Sequence, residues 1–121
     1  MFFLHTIAVF LFSMISLVCV QADVYVPPVL LPNSESIWKV GTPYMVEWNI
    51  TSPPTQITNP TGRIQLRKGG LTQPYALAQG FSILDGSKQI IIPVSTVPGP
   101  GYQIVLFGDS GNFSPMFTIV R

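Results

Sequence analysis

Proline and glycine punctuate this chain too tightly for helices. All twelve prolines and all ten glycines fall in residues 23–121. Between them, apolar and polar residues alternate in short runs, the period of half-buried strands. In Pro43–Thr51, Tyr44, Val46, Trp48 and Ile50 share the inward face, while Met45, Glu47 and Asn49 share the other. Arg63–Lys68 repeats the pattern, with Ile64 and Leu66 inward and Arg63, Gln65 and Arg67 outward. Tyr102–Phe107 aligns Tyr102, Ile104 and Leu106, and the last run aligns Phe117 with Ile119. No window of residues 23–121 carries an apolar stripe of helical period free of proline and glycine. Pro27 and Pro28 predict an edge strand over Val24–Pro32, because proline donates no ladder hydrogen bond. Asp85-Gly86 predicts a hairpin, and Pro115 predicts that the final strand lies at an edge. About seven short strands with frequent turns describe an all-β, immunoglobulin-like antiparallel β-sandwich. A small closed barrel is the competing all-β solution.

Residues 1–22 are set apart from this pattern. They form an almost unbroken apolar run ending with Val20 and Ala22, small residues placed for signal-peptidase cleavage before Asp23. They read as a secretory signal peptide, and residues 23–121 as a single domain. An uncleaved membrane anchor is the alternative, since the run is just long enough to span. Export would permit disulfides, but the single cysteine is Cys19, inside the leader. The domain therefore has no disulfide and is held by its core. Six basic and five acidic residues leave a net charge of +1, with no basic stripe for nucleic acid.

The stretch Phe107–Pro115, FGDSGNFSP, resembles the surroundings of a hydrolase nucleophile at Ser110. Serine needs a base, and the only histidine, His5, lies in the leader. A lysine base would have to be Lys39, Lys68 or Lys88, each in a polar setting unsuited to that role. Without histidine or cysteine in the domain, zinc and copper lose their usual ligands, and no cofactor is expected. Asp109, Ser110 and Asn112 read as a self-capping turn rather than a calcium loop. Glu35, Glu47, Asp85 and Asp109 show no pairing suited to glycoside hydrolysis. No catalytic or metal-binding residue is assigned. FGDSGNFSP instead reads as a hairpin between the last two strands, with Gly108 and Gly111 giving backbone freedom. Asn49-Ile50-Thr51 is the better of two N-glycosylation sequons; Asn112-Phe113-Ser114 is weakened by Pro115. Trp38, Tyr75 and Phe81, together with Tyr25, are the aromatic candidates for stacking on sugar rings.

Taken in order, several pieces resemble a known family. They are the Pro32-to-Gly41 segment PNSESIWKVG, then VEWN, IQLRKG, IIIPV and YQIVLFGDSGNFSPMFTI. This frame over residues 27–120 resembles the fungal immunoglobulin-like domain of cell-wall-synthesis proteins, which also heads many Ser/Thr-rich, GPI-anchored wall proteins. The resemblance implies a secreted β-sandwich with a role in fungal cell-wall organisation, in some members in β-1,6-glucan assembly. It implies no catalytic residues. Trp38, Gly41 and Trp48 match its motif positions and read as structural. With no Ser/Thr-rich stalk or apolar tail after the last strand, no GPI anchor is expected. The expected function is a secreted, non-enzymatic, wall-associated module, structural or glycan-binding, with wall polysaccharide or wall proteins as partners. A secreted protein-interaction domain acting at a cell surface is the alternative.

If the turn reading holds, Ser110→Ala leaves folding nearly unchanged and Gly111→Val disturbs it. Urea unfolding of the two variants checks this, and the reverse order would reopen the catalytic reading.

Overall fold

The computed structural model describes Tyr25, residues 27–51, Pro53, residues 56–108 and residues 110–121. Residues 1–22, where a signal peptide is expected, and Asp109 lie outside the described residues. The architecture is all-β, with two sheets packed as a sandwich and no disulfide. The described strands are β1 (Val29–Leu31), β2 (Ile37–Lys39), β3 (Pro43–Trp48), β4 (Thr61–Lys68), β5 (Leu71–Ser82), β6 (Ser87–Ile91), β7 (Gly99–Phe107), β8 (Gly111–Phe113) and β9 (Phe117–Val120). A small sheet has the order β1-β3-β6. A large sheet has the order β2-β9-β7-β4-β5, with β8 also on β7. Two separate sheets replace the closed barrel that the sequence left open.

The alternating runs supply the core. Val46 and Trp48 from β3 face Ile64, Leu66, Tyr102, Ile104, Leu106, Phe117 and Ile119 from the large sheet, all buried. The proline-broken N-terminal strand is an edge, as expected: β1 ends the small sheet. Pro74 sits in β5, the last strand of the large sheet, where a missing donor costs no ladder bond.

Trp48 joins the sheets. Its indole Nε1 donates to the Ile83 carbonyl at 2.7 Å, and its backbone N donates to the Gly86 carbonyl at 2.9 Å. Phe81 packs on the indole with ring centroids 5.6 Å apart. Phe81 can lie there because its β4 partner is Gly62, where a Cβ would stand 2.3 Å from the Phe81 ring.

Several expectations are corrected. Asp85-Gly86 is not a hairpin: β5 and β6 belong to different sheets, joined by a 3-10 turn, Ile83–Asp85. Gly86, at φ 78°, ends that turn in the left-handed region. The Ser82 hydroxyl caps it by accepting from Leu84 N at 3.2 Å. Ile50 is exposed, because β3 ends at Trp48 and the inward alternation ends with it. Gln65 is buried, because bulged β5 covers it and Gln73 O accepts from its Nε2 at 2.7 Å. β2 runs parallel to β9, so the large sheet is mixed rather than antiparallel. The chain reaches this edge from β1 through a turn at Asn33–Ser36, where Ser36 N donates to Asn33 O at 3.0 Å.

FGDSGNFSP does turn the chain: β7 and β8 pair antiparallel, with Phe107 opposite Gly111. The chain then breaks at Ser114 and Pro115 and resumes as β9 along the same side of β7. β9 lies between β2 and β7, so the final strand is not an edge and Pro115 marks the break instead. Ser114 bridges that break. Its hydroxyl accepts from Ile104 N at 2.9 Å, and its own N donates to Ile104 O at 2.8 Å. Gly111 is required for space rather than for left-handed backbone: a Cβ there would lie 2.9 Å from Phe107 Cε1 and 3.0 Å from Val105 Cγ1. Gly108 has no positive φ either.

Trp48→Phe should lose about 1–3 kcal/mol of stability, because it leaves the Ile83 carbonyl without its indole donor. Trp48→Ala should lose about 3–5 kcal/mol, adding a cavity. Urea unfolding midpoints measure both.

Candidate functional site

Three of the four aromatic candidates are core residues. Trp38 is 7 % exposed: it stacks on Tyr44 with centroids 4.9 Å apart and planes 2° apart, and tilts against Phe117 at 5.1 Å. Phe81 is 8 % exposed beneath Trp48, and Tyr25 is buried, its hydroxyl donating to Asn49 O at 3.4 Å. The expectation that Trp38 and Phe81 offer a ring to a sugar is therefore corrected. A strand can turn an aromatic inward as readily as outward, and the sandwich needed both rings. Tyr75 differs, at 42 % exposed on β5.

Tyr75 stands on a cleft of about 400 Å³ lined by Leu66, Lys68, Gln73, Ser95, Thr96, Val97 and Tyr102. The cleft forms where the β4–β5 turn meets the connection from β6 to β7. Gly69 and Gly70, at φ 60° and 79°, make that turn tight enough for β5 to fold back on β4. On the opposite wall, the Tyr102 hydroxyl donates to the Val97 carbonyl and pins the connection. Thr96 N donates to Pro93 O at 3.0 Å. Lys68 Nζ lies 4.3 Å from the Tyr102 ring centroid, a cation–π contact. It passes over Gly99, where a Cβ would stand 3.0 Å from Nζ.

One polar atom in this wall is unmatched. Thr96 Oγ1 is buried without a hydrogen-bond partner. A buried orphan hydroxyl costs on the order of 1–3 kcal/mol. The cleft itself combines an exposed phenol ring, a cation held over the Tyr102 ring, a glutamine side chain and the exposed Ser95. Lys68, Thr96 and Tyr102 carry no sequence signal as site residues, because nothing in the order of residues shows that 66–75 and 95–102 meet.

The described residues include no histidine that could serve Ser110 as a base. Ser110 is exposed, and its carbonyl accepts from Gly108 N at 3.3 Å. Among the described residues, no three His, Cys, Asp or Glu side chains group as metal ligands. Of the two sequons, Asn112 spends its Nδ2 on the Pro27 carbonyl at 2.5 Å, tying the first described residues to β8. Asn49 is half-buried, and its Oδ1 accepts from Thr51 N at 2.8 Å and Thr51 Oγ1 at 2.6 Å.

Burial pushes the Tyr102 hydroxyl pKa above its ordinary 10.0, and the nearby Tyr75 pushes it further; burial raises Tyr25 as well. A tyrosine held neutral by the fold stabilises it fully below the unfolded pKa, and that stability is lost as pH rises through the folded pKa. Stability should therefore decline above about pH 10. In Tyr102→Phe that alkaline decline should be shallower, as read by urea midpoints between neutral pH and pH 11.

The family comparison agrees with this architecture. The model of the Kre9/KNH-like N-terminal Ig-like domain matches residues 31–119, from the end of β1 to the middle of β9. No curated protein and no solved structure matches the chain. With that match spanning nearly the whole sandwich, the chain belongs to the Kre9/KNH-like N-terminal Ig-like domain family, which is linked to synthesis of the fungal cell wall and its β-glucan.

Proposed function

We propose that residues 1–22 direct export and that residues 23–121 act as one non-enzymatic, wall-associated domain that holds neutral wall glycan in the Tyr75 cleft. The observation that carries this reading is an exposed aromatic ring, Tyr75, in a cleft that the exposed Ser95 and the Gln73 side chain also line. A pyranose ring presents C–H groups to an aromatic face and hydroxyls to its rim. Tyr75 suits the first, and Ser95 and Gln73 suit the second. The family's link to β-glucan makes β-linked glucose chains the first ligand to test. Among the described residues no helix is long and apolar enough to cross a membrane. Asn49 is the sequon proposed to carry glycan, because the amide nitrogen of Asn112 is engaged in the fold.

A second reading, a protein-interaction domain, draws on the small sheet. Met45 and Ile91 are exposed there, with Pro43 opposite Ile91 across the β3–β6 ladder.

Co-sedimentation with insoluble β-glucan separates the readings. The purified chain should be retained, and Tyr75→Ala should lower retention roughly tenfold, the scale of one lost ring contact. Retention no greater than that of a control protein, or loss through Met45→Ser instead of Tyr75→Ala, would refute the cleft.

A further inference from the structure

The outer face of the large sheet carries a second constellation, distinct from the Tyr75 cleft. Because β4 sends Ile64 and Leu66 into the core, Arg63, Gln65 and Arg67 lie on the opposite face, with Arg63 exposed, Arg67 half-buried and Gln65 buried. Their ladder partners on β7 are Phe107, Val105 and Gln103. Phe113 on β8 extends the face as the partner of Val105. Each arginine lies on a phenylalanine: the Arg63 guanidinium carbon is 4.8 Å from the Phe107 centroid, and that of Arg67 is 4.3 Å from the Phe113 centroid. Arg67 Nη1 also donates to Thr72 Oγ1 at 3.1 Å. The space that Gly111 leaves free is occupied by Phe107 and Val105.

Stacking fixes a guanidinium plane while leaving N–H edges for an oxyanion. Four residues apart on one strand, the two arginines stand about 13 Å apart. Between them Gln65 is buried, its Nε2 donating to the Gln73 carbonyl at 2.7 Å, and beside Arg67 the half-buried Gln103 donates its Nε2 to the Ser114 carbonyl at 3.0 Å. The Gln103 side-chain orientation is thereby set, and its carboxamide oxygen serves as an acceptor for a hydroxyl. At the Arg63 end, a cleft of about 470 Å³ is lined by Asn59, Arg63, Gln79 and Phe107, among others. The carboxylates of the described residues come from elsewhere: Glu35 from the turn before β2, Glu47 from the small sheet and Asp85 from the 3-10 turn.

We infer that this face binds an anionic polysaccharide, with Arg63 and Arg67 each taking an oxyanion group and Gln103 taking a sugar hydroxyl beside Arg67. Charge complementarity supplies the anion, and the fixed Gln103 carboxamide favours a hydroxyl-rich chain over an acidic peptide. A peptide would gain no main-chain ladder here, since β4 is paired on both sides, by β5 and β7. The oxyanion is a phosphodiester or a carboxylate; both suit a planar guanidinium.

The test is affinity electrophoresis of the purified chain through gels containing a phosphodiester-bearing polysaccharide, a polyuronate, a neutral mannan or polyglutamate. At least one charged polysaccharide should retard the chain more strongly than neutral mannan does, and added salt should weaken the effect. Which one does so identifies the oxyanion. The Arg63→Gln/Arg67→Gln variant should bind roughly tenfold more weakly, whereas Tyr75→Ala should bind as the wild type does. Arg63→Gln alone, at an exposed position, should show part of the loss with an unchanged urea midpoint, which separates binding from folding. The inference is overturned if neither charged polysaccharide exceeds neutral mannan. It is also overturned if the arginine variants bind unchanged, or if polyglutamate binds as tightly as the polysaccharides.

Discussion

The two sheets are held in register by Trp48. A sandwich of this size commonly relies on a disulfide between its layers, and this chain has no cysteine beyond Cys19. Trp48 takes that place with three contacts at once. Its indole nitrogen and its backbone nitrogen both donate into the corner formed by residues 83–86, and its ring packs on Phe81. That corner is where the chain passes from the large sheet to the small one, so the clamp fixes the crossover itself. Gly62 and Gly86 make the clamp possible, one by leaving room for Phe81 and the other by taking the backbone turn.

β4 connects this core to the two surfaces proposed to bind. It is the central strand between β5 and β7, and its inward residues anchor it. Near its C-terminal end, Leu66 and Lys68 line the Tyr75 cleft; from its outer face, Arg63 and Arg67 reach the phenylalanines of β7 and β8. One strand thus contributes to both of the surfaces proposed to bind, Lys68 to the first and Arg63 and Arg67 to the second. Both offer rings and cations held over rings.

Much of the fold was legible because burial imposes a period of two. Val46, Trp48, Ile64, Leu66, Ile104 and Leu106 all face inward as their alternation requires. The family frame was legible in the order of Trp38, Gly41 and Trp48 and the closing strands. What alternation could not show was pairing. Asp85-Gly86 has hairpin chemistry, yet it carries the chain between sheets, since a turn signal says that the chain bends and not what it bends toward. β5 was obscured by Pro74, Gly80 and its bulges, which interrupt the pattern of a strand. The aromatic candidates failed for the same reason. Trp38, Phe81 and Tyr75 look alike in sequence, and only the third dimension buries two and exposes one. Of the cleft, Tyr75 alone was named beforehand; Lys68, Thr96 and Tyr102 reach it through contacts far apart in the chain.

The most direct test is residue-resolved NMR titration of the isotopically labelled chain with a soluble β-linked gluco-oligosaccharide. The cleft account predicts chemical-shift changes confined to Lys68, Gln73, Tyr75, Ser95–Val97 and Tyr102, with Trp48 and the Arg63–Arg67 outer face unmoved. Changes centred on Met45 and Ile91, or none at any ligand concentration, would contradict it.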